Sequence, residues 1–146
     1  MPAADFVNLH VHTEYSMLDG AARLSELFAE TERLGQRALG ITDHGYMFGA
    51  YDFYKHAQDA GIKPIIGLEA YVTPGTSRFD RSKVRWGAEG QVGDDVSAGG
   101  AYTHMTLWAM DNTGMHNLFR LASLASIEGH YYKPRVDVEL LQRYAK

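Results

Sequence analysis

No cysteine occurs in the 146 residues, so they can build no disulfide, no thiolate zinc site and no cysteine nucleophile. Any metal must be held through nitrogen and oxygen. No apolar run approaches the roughly 18 residues that a membrane span needs. The opening Met1-Pro2-Ala3-Ala4-Asp5 lacks the basic segment that begins a secretory leader. A cytoplasmic chain without a membrane partner is expected. Positive charge is scarce as well. Lys and Arg number 14 against 18 Asp and Glu, a net charge of -4, which argues against a nucleic-acid partner because phosphate backbones are bound through Lys and Arg. Bound metal ions would reverse that sign locally. One run, Arg78, Arg81, Lys83 and Arg85, is basic enough to touch a phosphate backbone and equally suits a solvated loop.

What remains is a composition of 45% hydrophobic and 22% charged residues, enough for one substantial core. Alternation of Phe6, Val7, Leu9 and Val11 predicts a strand over 5–12, and Gly20 marks the turn out of it. Leu24, Leu27, Phe28, Thr31 and Leu34 recur at helical spacing, with Gly35 as a C-terminal stop. A short strand over 38–42, a helix over 46–60 closed by Gly61, and a strand through Ile65, Ile66 and Leu68 follow. The Gly-, Asp- and Arg-rich stretch of about 74–101 has no periodicity and reads as a surface insertion. Beyond it a strand is expected over 103–110, a helix over 112–126 with Met115, Leu118, Phe119 and Ala122 on one face, and the start of another helix within 131–146. Strand and helix alternate, which predicts an α/β fold of parallel strands covered by helices, in an open sheet or a barrel. No internal repeat or linker divides the chain.

His10 and His12 lie two apart on the first expected strand, so both imidazoles point the same way. Neutral imidazole is the commonest side-chain metal ligand, although a polar pair beside a loop would look the same. Asp19 follows in the turn, where a carboxylate can swing back to the strand end; it also suits a cap for the next helix. Ile41-Thr42-Asp43-His44-Gly45 brings two ionisable groups to the carboxyl end of a strand, where α/β folds collect active sites. Adjacent residues on an extended backbone point apart, so His44 is expected to bind directly and Asp43 to stand behind the site, orienting it. Glu69 interrupts an otherwise apolar strand. A lone buried carboxylate is costly, and a metal accounts for it most simply. Gly67 beside it suggests close approach of backbone or ligand. His104 opens a strand and, taken alone, reads as a satisfied core histidine rather than as a ligand. In a parallel barrel it stands at the wrong strand end, so either the chain there doubles back or the segment is not a strand as expected. His56, His116 and His130 show no partner pattern and are taken as structural or surface, while Tyr15 and Ser16 lie close enough to contact substrate.

The ordered pattern His10-x-His12-Thr13, Asp19-Gly20, Thr42-Asp43-His44-Gly45, Gly67-Leu68-Glu69 and His104 resembles the polymerase and histidinol phosphatase (PHP) domain. The stretches Glu14-Tyr15-Ser16-Met17-Leu18-Asp19-Gly20 and Ile62-Lys63-Pro64-Ile65-Ile66-Gly67-Leu68-Glu69-Ala70-Tyr71 resemble the amino-terminal PHP domain of bacterial DNA polymerase III alpha subunits, and the inserted loop followed by Ala101-Tyr102-Thr103-His104 looks actinobacterial. The resemblance covers nearly the whole chain. It implies a distorted (β/α)7 barrel with up to three divalent metals at its mouth; histidine with carboxylate ligands suits Zn²⁺, Mn²⁺ or Fe²⁺ better than Mg²⁺, and zinc or manganese is expected. His10, His12, Asp19, His44, Glu69 and His104 match ligand positions of the family one by one. The family completes its site with later residues not found here, so the chain is expected to be the amino-terminal part of the domain, cut before the last strands and inactive alone. A β/α barrel usually takes about 250 residues, which agrees.

The resemblance further implies a metal-dependent 3′-5′ exonuclease attached to a DNA-directed DNA polymerase and proofreading beside it. Its partners would be the primer-template 3′ end, the rest of the alpha subunit, the sliding clamp and other replisome subunits. A histidinol-phosphate-type phosphatase would use the same ligands, and a non-catalytic metal-binding scaffold would keep them for stability alone.

Overall fold

The computed structural model describes residues 6–83 and 100–145. Its elements are, in order, α1 (Leu24–Arg33), β1 (Ala38–Ile41), α2 (Ala50–Ala60), β2 (Lys63–Val72), β3 (Thr103–Trp108), α3 (Asn112–Glu128), β4 (Arg135–Val136) and α4 (Val138–Tyr144). The long strand β2 organises the rest. Its first half pairs in parallel with β1, from Ala38 beside Lys63 to Ile41 beside Ile66. Its second half pairs antiparallel with β3, from Gly67 beside Trp108 to Val72 beside Thr103, and its last two residues pair in parallel with β4.

Side chains of β2 alternate between two faces. Ile66 joins Leu24, Phe28, Leu39, Ile41, Phe53 and Ala57 in a core between β1, α1 and α2. Leu68, Ala70 and Val72 meet Leu121, Ala122 and Ala125 of α3 and Val136 of β4 in a second core. The opposite face carries Glu69 and Tyr71. Both helices of the first core end as their glycines dictate, with Gly35 and Gly61 at φ of 69° and 65°. Asp111 and Asp137 cap α3 and α4, accepting from Gly114 N at 2.8 Å and Leu140 N at 3.0 Å.

Four expectations need correction. Residues 6–12 form no strand; the segment runs extended beside β1, with Gly40 N donating to Asn8 O at 2.7 Å and Thr42 N to Val11 O at 2.9 Å, too few bonds for a ladder. The strands are not all parallel, because β3 runs against β2. The helix expected from Tyr46 begins only at Ala50, since Gly45 at φ 68° turns the chain out of β1 and residues 46–49 make a turn first. The insertion is not wholly a surface loop. Arg78 is 5% exposed, and its guanidinium meets Glu128 at 2.6 Å, Asp137 at 3.0 Å and Glu139 at 2.6 Å. Three carboxylates hold it, so it is not available to a phosphate backbone. Arg85, and residues 84–99 of the insertion, lie outside the described residues, as does Asp5 at the start of the expected first strand. Among the described residues no helix is long and apolar enough to cross a membrane.

Candidate metal centre

Glu69 is the hub, 5% exposed on the inner face of β2. One carboxylate oxygen, Oε2, faces His10 Nε2 and lies 2.6 Å from His12 Nε2; the other, Oε1, lies 2.5 Å from His104 Nδ1 and 3.6 Å from His44 Nδ1. Burial works to raise the Glu69 pKa, but the hydrogen bonds to His10, His12 and His104 and the charge of His44 outweigh it and hold the carboxyl down at about 2. Four imidazoles around one ionised, buried carboxylate is the arrangement a bound cation would share.

The antiparallel course of β3 removes the difficulty with His104. Because β3 runs against β2, its first residues lie at the carboxyl end of β2, and His104 stands opposite Tyr71 on the same face as Glu69. Gly67 permits this close crossing: a Cβ there would lie 2.5 Å from the Leu107 carbonyl oxygen.

Asp19 does not cap α1. The residue at that cap is Arg23, which makes no side-chain capping bond, and Glu14 Oε1 instead accepts from Leu24 N at 3.2 Å. Asp19 Oδ2 turns back to His44 Nε2 at 2.5 Å and His12 Nδ1 at 3.2 Å. The bond to His44 and the charges of His44 and His12 lower its pKa. The turn that aims it carries Leu18 at φ 81°, a conformation costly for a residue with a side chain.

Asp43 points the other way, 3% exposed. It accepts from Thr13 N at 2.7 Å, Thr13 Oγ1 at 2.8 Å and Ser16 Oγ at 2.6 Å, while His44 N donates to Ser16 Oγ at 3.1 Å. Asp43 and Ser16 therefore tie the His12 segment and the Asp19 turn to the strand end that presents His44. Asn at position 43 keeps the shape but cannot satisfy all three donors. Asp43→Asn is expected to weaken metal affinity by about 10–100-fold, as loss of such an orienting partner does. Competition against a chelator reads this in the longer protein, and unchanged affinity would remove Asp43 from that role.

The six donors fall into three overlapping groups: His10, His12 and Glu69; His12, Asp19 and His44; His44, Glu69 and His104. Within each, one nitrogen or oxygen per residue lies within 4.8 Å of the others. The set fits divalent metal on a further ground. Among the described residues His44 Nδ1 is buried with no hydrogen-bond partner, an atom that a cation would satisfy. Imidazole and carboxylate together favour Zn²⁺, Mn²⁺ or Fe²⁺ over an all-oxygen Mg²⁺ site.

Two aromatic residues at this site were missed by the sequence reading. Tyr71 stacks on His44 at 5.8 Å and meets His104 at 5.0 Å, and Tyr102 packs on Tyr71 at 4.8 Å. Burial and the neighbouring Tyr102 and Glu69 push the Tyr71 pKa up to about 12, so its phenol stays protonated. Its place two residues after Glu69, on the same strand face, was the available signal. His56 belongs elsewhere, with Nδ1 2.9 Å from the Asp52 carbonyl on α2.

A family model described as PHP domain matches residues 8–146. The chain is 58% identical over 153 residues to a DNA polymerase III subunit alpha of Saccharopolyspora erythraea, covering 100% of this chain and 13% of that protein. It is also 58% identical over 147 residues to the DNA polymerase III subunit alpha of Mycobacterium leprae, covering 100% of this chain and 12% of that one. It thus spans about an eighth of the length of these curated relatives. A crystal structure of a Bifidobacterium adolescentis protein assigned as a metal-dependent phosphoesterase superposes with a TM-score of 0.52 at 17% identity, over 86% of this chain and 35% of that one. The fold is therefore α/β, part of a distorted barrel of this kind.

Proposed function

The chain belongs to the PHP domain family, and on that premise we propose that it supplies the metal-holding part of a phosphodiesterase centre in a longer DNA polymerase III alpha subunit. There it removes mispaired nucleotides from a primer 3′ end, in the cytoplasm, alongside the sliding clamp and other replisome subunits. One observation carries the reading: six donors from five separate segments converge on three overlapping groups joined by Glu69, His12 and His44.

Divalent metals, if bound in these groups, would supply Lewis-acid activation of water at neutral pH and charge to offset that of the phosphate. The chain's own residues determine where. His10, His12 and Glu69 would hold one ion, His12, Asp19 and His44 a second, and His44, Glu69 and His104 a third. Glu69, kept ionised by its surroundings, would give negative charge to the two groups it joins. Asp43, Thr13 and Ser16 keep the His12 and His44 segments in register. Tyr71, 5% exposed, backs His44 and His104 through its ring and so helps to hold them in place.

The test is hydrolysis of a mismatched 3′ terminus by the purified full-length protein, with polymerisation measured in parallel. Chelation should abolish removal, and His10→Ala or His44→Ala should abolish it with little loss of polymerisation. Undiminished removal in these variants would overturn the assignment. Metal bound with no hydrolysis would favour a stabilising scaffold instead.

A further inference from the structure

A second group of side chains, not used by the metal centre, leads away from it. Residues 131–135 run beside the end of β2, with Arg135 paired to Tyr71. A Cβ on Gly45 would lie 2.8 Å from Pro134 and 2.7 Å from the Tyr71 ring, so this segment abuts the turn that follows His44. Each cation here is placed over an aromatic ring. The Lys133 ammonium lies 5.6 Å from the centre of Tyr71, Lys83 lies 5.0 Å from Tyr132, and the Arg81 guanidinium lies 5.8 Å from Tyr131. Arg135 lies 5.1 Å from Tyr131, fully buried. Among the described residues its guanidinium bonds the main-chain oxygens of Gly129 and Arg78, and Nη1 has no hydrogen-bond partner there. Asp80 tempers this charge, but its carboxylate is engaged by Ser82 N at 2.8 Å.

The backbone spends energy to present these rings. Tyr132 holds φ 60°, unfavourable for any residue but glycine, and Tyr131 N closes on Lys133 O at 3.1 Å to fix the bend. The result leaves Tyr132 58% exposed, 4.5 Å from Tyr131 centre to centre. Rings for stacking interleaved with cations for phosphates are what a single-stranded nucleic acid requires, and a chain of net charge -4 otherwise offers such a strand little. An acidic peptide would use the cations and leave the rings idle.

We propose that Tyr131, Tyr132, Arg81, Lys83 and Lys133 form a track for single-stranded DNA, delivering its 3′ end past Tyr71 into the metal centre. This rests on the phosphodiesterase reading for the fate of that end, but not for the binding itself. The test uses the full-length protein and a single-stranded oligonucleotide carrying 5-iodouracil near its 3′ end. Irradiation should give adducts on the peptide containing Tyr131 and Tyr132, identified by mass spectrometry. Tyr132→Ala and Lys133→Ala should each raise KM for 3′-end removal by about tenfold with kcat little changed. Tyr132→Phe, which keeps the ring, should retain the KM. Adducts without hydrolysis would uphold the track and overturn the phosphodiesterase reading. Hydrolysis without adducts on this peptide would overturn the track alone, and the absence of both would overturn both.

Discussion

Glu69→Gln should remove metal from two of the three donor groups at once and lower 3′-end hydrolysis on the order of a thousandfold. The amide matches the carboxylate in shape, so packing on β2 is kept. The charge is lost, and one of the two oxygens, either that shared by His10 and His12 or that shared by His104 and His44, becomes an NH2 group that cannot bind metal. Losing an orienting partner alone costs about 10–100-fold in metal affinity, and Glu69 is placed to bind directly in two groups. Metal analysis of the purified variant, with single-turnover hydrolysis, checks this. Wild-type metal content in Glu69→Gln would show that the histidines and Asp19 hold the metals without it.

Arg78→Ala should have the largest effect on stability, about 3–5 kcal/mol, as when one partner of a buried ion pair is removed. Arg78 bridges the segment after β2 to the end of α3 through Glu128 and to the start of α4 through Asp137 and Glu139. Without it Asp137 stays buried and short of a counter-charge. Hydrogen exchange at the α4 amides should accelerate by about a hundredfold or more, and unchanged exchange would contradict the account. The sign of the pH dependence is fixed too. Burial raises the Asp137 pKa, but bonds from Arg78 N and Leu140 N and the Arg78 charge lower it further than burial raises it. Its folded value is below its unfolded value, so its contribution is complete above about pH 4 and is lost as pH falls further. That acid sensitivity should shrink in Arg78→Ala.

Much of this was legible in local patterns. Helical spacing with terminal glycines placed α1 well, and an isolated carboxylate in an apolar run singled out Glu69. The antiparallel course of β3 was not legible, because strand direction depends on how a long connection returns, and the residues from 74 to 101 carry no periodicity. The difficulty over His104 was the trace it left. β4 has only two residues and gives no alternation to detect. On α3 the buried stripe runs through Leu118, Leu121, Ala122 and Ala125, leaving Phe119 38% exposed, since neighbouring apolar stripes on a helix look alike until something packs on one. The burial of Arg78 within the basic run was not legible, because charge along the sequence does not show that this one residue turns inward to three acids distant in the chain.

The most direct test of the metal assignment is anomalous diffraction from crystals of the full-length protein grown with zinc or manganese. The account predicts peaks within the groups formed by His10, His12 and Glu69, by His12, Asp19 and His44, and by His44, Glu69 and His104. A map without peaks there, with Glu69 still bonded directly to its histidines at full metal loading, would contradict it.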